Sequence, residues 1–120
     1  MKKQKLGYVG AALLVAFLAV LAVSVEAGSM RCTVPFSFQV GDRSLPRGDY
    51  NVETAQAQIL IRGVTSGALA LGNTLEKSGN SPKLVFHRYG SEYILTEVWT
   101  GSNGRALPPS RREKELKARL

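Results

Sequence analysis

From residue 33 onward, apolar and polar side chains alternate with a period of two, in short runs separated by turns that carry glycine or proline. Successive side chains of an extended chain point to opposite faces, so this period puts the apolar set on one face of a strand. Val34, Phe36, Phe38 and Val40 form the first such set, with Thr33, Ser37 and Gln39 opposite them. Gly41 and Asp42 break the run. Residues 43–49 then read as a turn, because Pro46 cannot donate to a ladder and Gly48 tolerates unusual dihedrals. Tyr50 and Val52 open a second strand, with Asn51 and Glu53 facing away. Residues 59–61, 68–71, 83–89 and 92–100 supply four more, and 76–82 is a polar loop. The turn at Gly90 and Ser91 marks the clearest hairpin. No interval is long enough for crossover helices. The expectation is therefore an all-β domain: a mostly antiparallel meander of about six strands, closed as a small barrel or folded as a sandwich. Phe36, Phe38, Tyr50, Phe86, Tyr93 and Trp99 are the expected aromatic core.

The two ends follow different rules. Lys2, Lys3 and Lys5 precede an uncharged, mostly apolar stretch over 6–25. Val25 and Ala27 suit the small pockets of a signal peptidase, so the expected cut follows Ala27 and removes a signal helix. The rival is an uncleaved anchor, since about 20 apolar residues span a bilayer as a helix. That would leave the positive end inside and the domain outside. Acylation of Cys32 is a poor third option, because Ser29, Met30 and Arg31 are an unsuitable approach to a lipidated cysteine. The expected organisation is a signal peptide over 1–27, a β domain over 28–104, and a linker with a short basic helix over 105–120. Ser110 stands three residues before Glu113, the spacing of a capping box. The helix that follows places Leu116 and Leu120 on one face. So short a helix needs a surface to hold it.

Charge narrows the partners. The chain carries 16 Lys and Arg against 9 Asp and Glu. Removing Lys2, Lys3, Lys5 and Glu26 with the leader leaves 13 against 8, a net +5. A basic exported domain is drawn to an unknown acidic protein or to an anionic envelope surface. Nucleic acid is not expected in that compartment, and the basic residues lack interleaved aromatics. Membrane contact is expected only if the N-terminal segment stays uncleaved. Cys32 is the single cysteine, so no internal disulfide forms. Near a chain end it reads as an incidental thiol, with a Cys32-linked dimer as the lesser alternative to a monomer.

Catalytic chemistry finds little support. One histidine and one cysteine, far apart, offer no metal spacing. There is no phosphate loop or dinucleotide fingerprint. The carboxylates sit in turns or on polar strand faces. The expectation is a protein that is not an enzyme and carries no cofactor or metal. The densest candidate interaction surface is His87, Arg88, Tyr89, Tyr93 and Trp99, with Glu92 and Glu97 among them, on the two strands of one hairpin. A turn at Gly90 and Ser91 sets Tyr89 opposite Glu92, Arg88 near Tyr93 and His87 near Ile94. Such cross-strand pairs stabilise a sheet, and the same side chains make good anchors when exposed. Arg111, Arg112, Lys114 and Lys117 of the C-terminal helix complete the candidate surface.

Two stretches carry a resemblance. One is Val-Pro-Phe-Ser-Phe-Gln-Val-Gly over 34–41 with Leu-Pro-Arg-Gly-Asp-Tyr-Asn-Val over 45–52. The other is Lys-Leu-Val-Phe-His-Arg-Tyr-Gly over 83–90, running on to Glu-Val-Trp over 97–99. With the leader, they resemble a group of small exported bacterial proteins of unknown function, of the Acidobacteria type. The resemblance implies an exported β domain, periplasmic or secreted, and carries over no catalytic residue. The expected function is a non-enzymatic β domain of the envelope or extracellular space that binds a partner or an anionic surface. The alternatives are a small β-barrel for an apolar ligand and an N-terminally anchored β domain.

Overall fold

Alternation over such short runs yields twelve strands and one helix among the described residues of the computed structural model, which are 15–26, 29–76, 81–100 and 103–120. The strands are β1 (Val15–Leu21), β2 (Ser24–Glu26), β3 (Ser29–Val34), β4 (Phe38–Val40), β5 (Arg43–Leu45) and β6 (Gly48–Ala55). They continue as β7 (Gln58–Arg62), β8 (Gly67–Leu71), β9 (Asn73–Glu76), β10 (Lys83–Tyr89), β11 (Glu92–Trp99) and β12 (Asn103–Ala106). The helix is α1 (Arg111–Lys117). Five strands form one sheet in the order β2-β3-β6-β7-β8. The other runs β1-β10-β11-β12-β9, with β4 and β5 added beside β11. Every pairing is antiparallel except β4 with β11.

One core lies between the sheets. β3 contributes Met30, Cys32 and Val34, β6 Tyr50 and Val52, β7 Ile59 and Ile61, and the facing sheet Phe38, Leu84, Phe86, Leu95 and Val98. Phe38 stands edge-on to Tyr50 and Phe86, with ring centroids 5.2 and 5.5 Å away. Edge-to-face contacts of this kind match the positive rim of one ring to the negative face of another.

β11 breaks the period of two. Its register on β10 shifts between Val85 and Phe86, so that Leu95 faces Phe86 and Glu97 faces Val85. Thr96 is the extra residue of a β-bulge. Its hydroxyl donates to the Val85 carbonyl at 3.1 Å, and its own carbonyl accepts from the Leu107 N–H at 2.9 Å. The bulge puts Leu95 and Val98, three positions apart, into the same core. A regular strand would have turned Glu97 inward instead.

The expected strand over 33–40 is two strands. Pro35 has no N–H to extend the ladder, and the chain crosses from β3 in one sheet to β4 in the other. β5 lies where a turn was expected, and Gly41, at φ +61°, makes the reversal between β4 and β5. β9 and β12 pair with each other in stretches read as loop and linker. The β domain therefore continues to Ala106, past the expected boundary at 104. Gly104 in β12 lies against the Trp99 ring, where a Cβ would stand 2.6 Å from ring atoms. The 76–82 loop falls mostly on 77–80, outside the described residues.

The expected signal helix falls in part outside the described residues. Where it is described, the chain is strand: β1 runs antiparallel along β10 from Val15 opposite Tyr89 to Leu21 opposite Lys83, and β2 pairs with β3. An uncharged apolar run satisfies a strand ladder as readily as a helix. Among the described residues the buried ones nevertheless all lie between Met30 and Leu116, and Val20 and Ala22 are partly buried against that cluster. Removal of residues 1–27 is therefore expected to leave a folded domain. Its thermal unfolding should remain a single cooperative transition, with far-UV circular dichroism still dominated by strand.

Candidate functional site

The hairpin β10–β11 has the expected register: Tyr89 faces Glu92, Arg88 faces Tyr93 and His87 faces Ile94. Gly90, at φ +64°, opens its turn in a conformation that L side chains rarely adopt. Beyond the core, the outward face of this hairpin carries a second, smaller cluster made by Tyr89, Ile94 and Leu116. α1 therefore docks on the hairpin and holds its face closed.

The helix starts at Ser110, whose Oγ accepts from the Glu113 N–H at 3.1 Å. The reciprocal half of the capping box does not form. Glu113 is 3 % exposed, and its side chain turns toward the hairpin. Its Oε2 accepts from the Tyr89 hydroxyl at 2.8 Å and lies 2.7 Å from His87 Nδ1. Burial, reinforced by the Glu113 hydrogen bond and charge, pushes the Tyr89 phenol well above its ordinary range. A second clamp lies at the turn. Arg112 grips Glu92 two-pronged, with Nε 2.9 Å from Oε1 and Nη2 on Oε2. This pairing holds the Glu92 carboxyl below its usual value. Leu120 remains exposed, because the helix ends before reaching the hairpin with it.

The nine residues expected to form an interaction surface thus separate. Tyr89 and Trp99 are buried; the Trp99 indole N–H donates to Glu97 Oε1 at 2.8 Å. Tyr93 is half-buried and stacks on Phe36 at 3.8 Å. His87 and Arg112 are half-buried and committed to carboxylates. Arg88, Arg111, Lys114 and Lys117 face solvent. Arg88 spends part of its guanidinium on the Gly90 carbonyl and sits 5.6 Å from the Tyr93 ring centroid. Cys32 is 0 % exposed in the middle of β3, held in the core by its strand. Desolvation raises its thiol to about 11. A bridge between copies needs a surface thiolate, and this cysteine presents none.

A feature absent from the sequence reading is a surface cleft of about 780 Å³. Ala68, Ala70, Leu107 and Pro108 are among its walls, and Arg43, Arg111 and Lys114 stand around it together with Asp42. The linker forms one side because Leu107 packs against the main core. No helix among the described residues is long and apolar enough to cross a membrane. No family model, curated protein or solved structure matches the chain.

Two outcomes check this site. Glu113→Ala leaves the Tyr89 hydroxyl buried without an acceptor and should lower unfolding stability by about 2–3 kcal/mol. Glu113→Gln retains an acceptor and should cost less; denaturant titration compares the two. In the full chain, Cys32 should resist alkylation at pH 8 and react appreciably only as the pH approaches 11. The raised pKa means the thiol's contribution to stability is complete below the ordinary thiol range and is lost as pH climbs through 11.

Proposed function

We propose that this chain is an exported, non-enzymatic β domain that binds an anionic surface or acidic partner of the cell envelope through the outer face of α1. The observation that supports the reading is the division of the helix. Its inner face is used up by Glu113 and Leu116, while Arg111, Lys114 and Lys117 point to solvent. Docking fixes the helix so that these cations stay on its solvent side, where Glu115 is exposed among them. The mature net charge of +5 adds a weak long-range attraction to the same surfaces. His87, Glu113 and Tyr89 resemble catalytic groups by residue type. All three side chains are committed to one another where the helix docks on the hairpin.

A second reading, a small apolar ligand, is favoured by the cleft beside α1, whose wall of Ala68, Ala70 and Leu107 is rimmed by cations. The space between the sheets is filled by Phe38, Tyr50 and Phe86, so the cleft is where such a ligand would sit. A ligand extracted by solvent from the purified protein and identified by mass would support it.

The main reading is tested by co-sedimentation with vesicles. Binding to vesicles containing anionic lipid is expected, with none to zwitterionic vesicles, and it should weaken as salt is raised. The triple variant Arg111→Gln, Lys114→Gln, Lys117→Gln should lose about a hundredfold in affinity, at roughly 1 kcal/mol per cation near an anionic surface. A variant that binds as well as the parent moves the contact elsewhere. The same series on an anionic polysaccharide matrix separates lipid from polysaccharide.

A further inference from the structure

The apolar segment 15–26 closes a seam between the two sheets. β1 pairs with the outer edge of β10 over seven residues, and β2 pairs with the outer edge of β3. Between them, the Ala22 N–H donates to the Pro82 carbonyl at 3.1 Å and the Val23 N–H to the Arg31 carbonyl at 2.6 Å. One continuous segment thus serves an edge of each sheet, and Val20 and Ala22 point inward onto the core. On the outside, the Phe17 ring stacks on His87, with centroids 4.6 Å apart and planes 19° from parallel. Phe17 is still 74 % exposed, and Leu21 and Val23 are also exposed. The segment therefore covers the seam without being covered itself.

Without this segment, β10 becomes an edge strand of seven residues with no proline or glycine. Its cations sit toward its ends, at Lys83 and Arg88, and Leu84, Val85 and Phe86 form an uncharged centre. Such an edge is a template for another strand. β3 would become the edge of the second sheet at the same place, with the core exposed between the two.

We propose that the seam between β3 and β10 is a strand-acceptor site for an extended, uncharged apolar segment of a partner protein. The segment would run antiparallel to β10, with an aromatic side chain opposite His87 and small aliphatic side chains facing the core. The ligand chemistry is read from the strand that the seam already holds. Main-chain hydrogen bonds supply affinity, and the pockets beside alternate residues supply selectivity. The site rests on the reading that residues 1–27 are removed on export; before removal, residues 15–26 occupy it and keep the exposed edges from pairing.

The test uses the protein of residues 28–120, which retains the whole buried core, and a synthetic peptide of residues 15–26 with a lysine tail for solubility. Amide exchange over 83–89 should be at least tenfold faster in this protein than in the full chain. The peptide should bind saturably and restore protection there. A peptide carrying Ala19→Pro should do neither, because proline breaks the ladder. Unchanged exchange over 83–89 on removal of the leader overturns the proposal, as does binding that survives the proline. Protection that grows with protein concentration alone also overturns it, by naming a second copy as the occupant. Intact mass of the exported protein reads cleavage independently of these results. A retained leader overturns the proposal by leaving the seam closed, whatever the peptide does.

Discussion

The hairpin β10–β11 is covered on both faces, and most of the molecule is arranged by that fact. One face gives Leu84, Phe86, Leu95 and Val98 to the core; the other gives Tyr89 and Ile94 to α1. A strand pair sealed on both sides cannot leave polar side chains unpaired inside without a cost of about 1–3 kcal/mol each. Two local devices meet this constraint. The bulge at Thr96 resets the phase of β11, so that Glu97 turns out and Val98 turns in. The buried carboxyl of Glu113 receives the Tyr89 hydroxyl, which would otherwise be sealed under the helix without a partner.

The hairpin was the most legible part of the chain, because a two-residue Gly-Ser turn fixes the register of the strands it joins as far as the bulge. Tyr89 opposite Glu92, Arg88 opposite Tyr93 and His87 opposite Ile94 all follow from it. The all-β class and the helix cap at Ser110 were legible for similar local reasons. What escaped was set by contacts distant in sequence. β9 and β12 are four-residue strands of ordinary polar composition, and they exist because each completes the other and extends the sheet past β11. The break between β3 and β4 was signalled by Pro35, which an unbroken reading of 33–40 passed over.

The candidate site shows the same division. Cations at Arg111, Lys114 and Lys117 are exposed as their charge suggests. Tyr89 looked like a surface anchor, yet it is buried, since sequence alone does not reveal that a helix will cover it; Trp99, expected in the core and also among the surface candidates, is buried where Gly104 admits its ring. Glu113 had a local explanation as a capping partner that hid its role. Its spacing of three from Leu116 was the available signal, because it puts the carboxyl on the helix's buried face. The apolar run over 15–26 likewise reads as part of an export signal, and nothing in its composition distinguishes a helix from a strand laid across a sheet edge.

The orientation of α1 carries the functional reading: a helix held by Glu113 keeps Arg111, Lys114 and Lys117 on its solvent side, and a helix held by nothing does not. A double-mutant cycle on Tyr89→Phe and Glu113→Ala, read by denaturant unfolding, measures that hold directly. Coupling of about 1 kcal/mol or more between the two sites is predicted, since each variant removes the same buried hydrogen bond. Strictly additive effects would contradict the account, because they would mean that Tyr89 and Glu113 do not meet and that α1 is not fixed on the hairpin.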